Sequence, residues 1–224
     1  MRDRFAEPAR DAVAASAGEV TEAGFDGVHL AISPVTTNDP SLPDLLERTR
    51  EEIGDDAVLS VQAQHVEPVS GARIPSFVVA REEKYWSKGY LRRVAEHADV
   101  VVVPGHGTGM PVSSLYGGFM VRQTKESLAA LEPLSGNGGA EDAEDGQDGS
   151  GPAVRFGVPS YQSENWAPVS SAESVETAAR GIRLGLTDHG RRDGAGVGLA
   201  VYVLDDTGEE DWAALTDGWL NPQR

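Results

Sequence analysis

The chain has 224 residues with 19 basic and 36 acidic side chains, a net charge of −17, and no cysteine. That length suits one domain with a sizeable core. The charge argues against nucleic-acid and anionic-membrane binding, and the missing cysteine removes disulfides, thiolate metal sites and thiol nucleophiles.

Only three lysines accompany sixteen arginines. Acid-rich, lysine-poor chains stay soluble in concentrated salt, where their repulsion is screened. A GC-rich coding sequence would also favour Arg, Ala and Gly. No apolar run is long enough to span a bilayer, and the first ten residues lack the apolar core of a secretory signal, so neither a membrane span nor a signal peptide is expected and the compartment stays open.

The chain opens on an alanine-rich helix, Pro8–Ala23. Phe25–Ser33 reads as a strand. Ser41 then offers an N-cap for a helix with Leu42, Leu45, Leu46 and Ile53 on one face. Ala57–Val66 is a second strand, Glu67–Glu83 a long loop, and Tyr85–His97 a helix with Trp86, Tyr90, Leu91 and Val94 on its apolar side. Asp99–Val103 is an uninterrupted β-branched strand. Gly117–Leu131 reads as a helix, Ala153–Val158 as a strand, Ser171–Leu186 as a helix, Gly196–Leu204 as a strand and Glu209–Leu220 as a closing helix.

Hydrophobic strands alternating with helices predict an α/β domain, a parallel sheet covered by helices on both faces. A doubly wound sheet and part of a (β/α)8 barrel both fit. Gly105-His106-Gly107-Thr108-Gly109 has the look of a phosphate loop but lacks the lysine, and a tight glycine turn after a strand is preferred. Residues 135–151 carry five acids and no base and predict a solvated, flexible loop. Glu141, Asp142, Glu144, Asp145 and Asp148 offer oxygen ligands for calcium, but their spacing is not that of an EF-hand.

Several segments, in order, resemble the C-terminal part of glycoside hydrolase family 18, the chitinase-like barrels. Asp26-Gly27-Val28-His29-Leu30-Ala31-Ile32-Ser33 stands in the frame of the family's fourth strand, and Pro104-Gly105-His106-Gly107-Thr108-Gly109-Met110-Pro111 in that of the sixth. Gly157-Val158-Pro159-Ser160-Tyr161 resembles the seventh strand, Val201-Tyr202 falls in the eighth, and Glu210-Asp211-Trp212 with Trp219-Leu220 resembles the last helix. The resemblance implies strands four to eight of a partial barrel, residues 1–224 as a single domain, and a glycosidase-like ancestry.

It also implies that the catalytic acids are gone. Ser33 stands at the position of the general acid, Ala31 and His29 at two of the motif's aspartates, and Gly107 at an aspartate position of the sixth strand, while Asp26 persists as a structural residue. Serine cannot replace a tuned carboxylic acid, a group worth roughly 10²–10⁴ in rate. The expected protein is an inactive or weakly active glycosidase relative with a saccharide-binding cleft, needing no cofactor.

The cleft residues expected from aromatic and amide character are Gln64, His106, Tyr161, Trp166 and Tyr202, with Gln162 and Asn165 as further hydrogen-bonding groups. Trp212 and Trp219, seven apart, read as packing residues. Two active alternatives also fit the residues. In one, His65 and His106 hold a metal with Asp39 or Glu67; in the other, Glu67, Glu164 or Asp205 supplies a carboxylate. A serine mechanism through Ser33, or through His106 with Asp205 or Asp206, lacks a nucleophile elbow. A third reading is a non-catalytic fragment. Five parallel strands leave two open edges, so association with a second copy, or with a partner supplying further barrel units, is expected.

Overall fold

The computed structural model describes residues 6–67, 85–134, 151–160, 172–191 and 196–221. The elements run α1 (Glu7–Glu22), β1 (Gly27–Leu30), α2 (Ser41–Ile53), β2 (Val58–Gln62), β3 (His65–Val66), β4 (Tyr85–Trp86), α3 (Lys88–Ala95), β5 (Val100–Val103), α4 (Ser113–Leu131), β6 (Ala153–Pro159), α5 (Val175–His189), β7 (Val197–Tyr202) and α6 (Glu209–Leu215). A π-helical turn, Thr216–Leu220, extends α6. The main sheet is parallel, in the order β1-β2-β5-β6-β7, and β3 pairs with β4 in a separate two-stranded sheet. No helix of the described residues is long and apolar enough to cross a membrane.

Strand order follows chain order, which is the winding of a barrel segment rather than a doubly wound sheet. Burial agrees. Leu59, Val61, Val101, Val103, Val154, Phe156 and Val158 share one face and join a single core with Leu42, Leu45, Leu46, Leu91, Val94, Met120 and Ile182 from the helices. Of the alternate residues, His29, Ser60, Gln62, Val100, Val102 and Arg155 stay exposed or half-buried, whereas Gly157 and Pro159 at the end of β6 are buried, Gly157 under the loop of Pro104 to His106 and not under a helix. Helices therefore seal one face only, and the expectation of cover on both is corrected. The run of four valines in β5 did not betray this, because Val100 and Val102 are as apolar as the buried Val101 and Val103.

Several boundaries differ from the sequence reading for local reasons. Helix α2 begins at Ser41, but Asp39 rather than Ser41 supplies the capping oxygen, its Oδ1 accepting from the Ser41 amide at 2.9 Å. Tyr85 and Trp86 are strand, not helix: Ser87 caps α3 through a hydrogen bond from the Tyr90 amide to its Oγ at 3.2 Å. Trp86 is nonetheless buried, its indole N–H donating to the Val35 carbonyl at 2.8 Å. The segment Ala57–Val66 breaks into β2 and β3, so side-chain alternation does not carry through it. Between helices α1 and α2, a Cβ added to Gly18 would meet Glu52 at 3.5 Å, and Arg48 bridges Glu7, Asp11 and Asp44. The acidic segment 135–150 lies outside the described residues.

Candidate functional site

Catalytic groups of parallel barrels gather where the strands end, on the C-terminal face. The most fully built constellation there is the loop after β5. Gly105 passes so close to β6 that a Cβ on it would lie 2.2 Å from the Gly157 carbonyl oxygen and 2.6 Å from Met120 Cε. The Tyr116 hydroxyl donates to the Gly105 carbonyl at 2.7 Å.

Beyond His106 the chain turns through Gly107 and Gly109, both with positive φ, and directs successive amides at one carboxylate. Glu173 Oε2 accepts from Gly107 N at 2.9 Å, and Oε1 accepts from Thr108 N at 2.7 Å, from Thr108 Oγ1 at 2.5 Å and from Gly109 N at 3.3 Å. The glycine turn is thus an anion nest whose anion is the protein's own. Glu173 is 7% exposed and directly precedes the cap of α5. Nothing in its sequence neighbourhood marks it, because the partner loop lies 64 to 66 residues away.

His106 is held between these two anchors. Its ring lies flat on Tyr202, with centroids 3.8 Å apart and planes 7° from parallel. Tyr202 ends β7 on the helix-free face, in register with Pro159, and is 36% exposed. Its backbone is fixed too: Ser160 N donates to the Tyr202 carbonyl at 2.7 Å, and Ser160 Oγ to the Val203 carbonyl at 2.7 Å.

At the opposite end of the same face, His29 on β1 stands directly beside Ser60 on β2, Nδ1 to Oγ 2.9 Å. Gln62 also hydrogen bonds to His29, which raises its pKa, but burial outweighs this and holds the imidazole below its usual value. Arg155 on β6 is the charged side chain of this face of the main sheet; it folds over Gly198 and donates to the Val154 carbonyl at 3.1 Å.

The other sequence-predicted residues are placed as follows. Ala31, Ser33 and Gly107 are exposed, the first two in the loop after β1. Asp26 precedes β1, and its carbonyl accepts from Val58 N at 2.8 Å. Gln64 is removed from the cleft: it is buried, and its Nε2 donates to the Val35 carbonyl at 2.9 Å. His65 is buried in β3 against Tyr85 and edge-on to Phe119, with 5.3 Å between the latter centroids. Among the described residues no three His, Asp or Glu side chains are grouped to hold a metal ion. Asp205 and Asp206 lie exposed in a short 3-10 turn after β7. Trp219 packs under Arg183, whereas Trp212 is 47% exposed and is not the packing residue its spacing suggested. Tyr161, Gln162, Glu164, Asn165 and Trp166 lie outside the described residues.

No protein-family model matches the chain, and no curated protein sequence matches it. Among solved structures it is similar to a family 18 chitinase from Chromobacterium violaceum, with a TM-score of 0.52 and 18% identity, over 96% of this chain and 59% of that one. The chitinase domain of the spore-coat protein CotE from Clostridium difficile gives a TM-score of 0.33 at 12% identity, over 89% of this chain and 43% of that one. The chain thus spans about three-fifths of the chitinase it resembles. Its fold is that of a chitinase-like barrel, present here as five consecutive strand–helix units.

Proposed function

We propose that this chain is a chitinase-like protein that has lost the family's catalytic acids and binds a chitin-type oligosaccharide on its helix-free face, at the C-terminal ends of the strands. The observation that carries this reading is the stacked His106–Tyr202 pair. Two parallel rings, fixed on both sides and partly open to solvent, form a flat apolar platform of the kind on which a sugar ring stacks. Ala31 and Ser33, in the frame of the family's acid motif, bring no carboxylate to that end of the sheet.

Chitotetraose titrated into the protein in molar potassium chloride should bind saturably without being cleaved. Tyr202→Ala should weaken that binding by roughly tenfold, the size of one lost stacking contact of about 1.4 kcal/mol. Equal affinity in wild type and variant overturns the platform, and turnover of a fluorogenic chitooligosaccharide overturns the loss of catalysis.

A second role, assembly, is favoured by the two sheet edges. Among the described residues, strands β1 and β7 each have a neighbour on one side only, and Phe25 before β1 and Leu204 after β7 are 65% and 64% exposed. Parallel edges with apolar flanks invite a further strand–helix unit. Light scattering should therefore give a mass above the 23.7 kDa of one chain in molar salt, where the acidic surfaces are screened. A sharp monomer at low and high salt counts against self-association.

A further inference from the structure

A different site lies within β1 and β2, and it does not depend on saccharide binding. His29 and Ser60 are direct cross-strand partners on the helix-free face, with Nδ1 and Oγ 2.9 Å apart. The Gln62 side chain, two residues along the same face of β2, hydrogen bonds to the same imidazole. In the tautomer protonated at Nε2, Nδ1 accepts from the Ser60 hydroxyl across the 2.9 Å contact, and the Gln62 contact helps to hold the ring in place. A hydroxyl within reach of a base, itself oriented by a third group, is the arrangement of an activated nucleophile. All three residues stay exposed or half-buried, so a substrate can reach Oγ.

We propose that Ser60 and His29, oriented by Gln62, form a nucleophile–base pair that cleaves small acyl esters. Ser60 Oγ bonds to the acyl carbon while its proton passes to His29. The ester C–O bond then breaks, and the leaving alkoxide takes that proton from His29 and departs as the alcohol. Water gives a proton to His29 and attacks the acyl–Ser60 ester. The carboxylic acid leaves, and Ser60 Oγ recovers the proton. Burial supports the base role, since it keeps the ring neutral at pH 7. The charged side chain sharing this face, Arg155, stands beyond β5 and leans toward β7; Tyr202 and His106 are the other titratable groups there.

The test is covalent capture of the full-length protein by a fluorophosphonate probe, followed by peptide mapping. Ser60 should be labelled well ahead of the exposed Ser113 and Ser114 at the start of α4, which serve as internal standards for ordinary serines. His29→Gln should slow Ser60 labelling by about 100-fold, the lower end of general-base assistance. Gln62→Ala, which keeps the base, should slow it several-fold. In wild type the rate should rise through the titration of His29, with a midpoint below 6.5, and level off above it. An accompanying burst of one 4-nitrophenolate per chain from 4-nitrophenyl acetate, as the acetyl group is left on Ser60, and absent in Ser60→Ala, is the matching result with an ester. Labelling of Ser60 no faster than Ser113 and Ser114, or unchanged in His29→Gln, overturns the proposal. Failure of chitotetraose to bind would leave this test untouched.

Discussion

Alanine at position 105 is expected to cost the protein about 3 kcal/mol or more, at the upper end of core overpacking. The new methyl would meet the Gly157 carbonyl oxygen at 2.2 Å, a backbone atom of the central part of β6 that cannot step aside. The loop would have to lift instead. Doing so breaks the bond from the Tyr116 hydroxyl to the Gly105 carbonyl and moves His106 off Tyr202. Urea denaturation should show a lowered midpoint, and any folded fraction should show weakened chitotetraose binding like that of Tyr202→Ala. Gly107→Ala meets no atom within 4 Å and differs only in its positive φ, so it should cost about 1 kcal/mol and serves as the control. A wild-type midpoint for Gly105→Ala would mean that the loop does not lie where described.

The second large effect is at Gln123 on α4. Its side chain is fully buried and pairs with the backbone of Val66 as a neighbouring strand would: Val66 N donates to Oε1 at 2.8 Å, and Nε2 donates to the Val66 carbonyl at 2.7 Å. Gln123→Leu keeps the volume and strands a buried donor and a buried acceptor. The expected loss is about 3 kcal/mol, read by denaturant unfolding. Gln123→Glu separates hydrogen bonding from shape. Ionised, the carboxylate cannot donate to the carbonyl of Val66; protonated, it restores both bonds. Burial raises the pKa of such a carboxyl in the folded state. Its deficit against wild type should therefore be largest at pH 8 and shrink as pH falls through that raised value. A deficit independent of pH would refute the pairing role.

Most elements were legible from periodicity. Leu42, Leu45, Leu46 and Ile53 mark the buried side of α2, and Tyr90, Leu91 and Val94 that of α3, because a helix packed on one layer must repeat its apolar residues every three or four positions. What the sequence concealed were decisions made by partners far along the chain. Whether β5 was sealed on one face or two could not be read from four identical valines. Gln64 and Gln62 differ by one turn of alternation on paper, yet one amide is spent on the Val35 carbonyl and the other reaches His29. Glu173 is an ordinary acid until the amides of residues 107 to 109 fold onto it. His29 stands in the sequence only as a residue in the frame of the family's fourth strand. Its bond to Ser60 depends on the β1–β2 register, which no local pattern specifies.

The one-layer winding has a consequence for how the molecule comes apart. Each strand–helix unit leans on the units next to it in the chain and on little else, as in a linear repeat array. Such an architecture loses cooperativity from its ends. Strand β7, with no residue fully buried, and the short α6 behind it form the weaker terminus, while β2 and β5, carrying Leu59, Val61, Val101 and Val103 at 0% exposure, hold the middle. Because β7 carries Tyr202, the stacked His106–Tyr202 pair rests on the unit most ready to detach, and under the proposed function an oligosaccharide bound on that pair would act as the clasp that keeps the last unit in place.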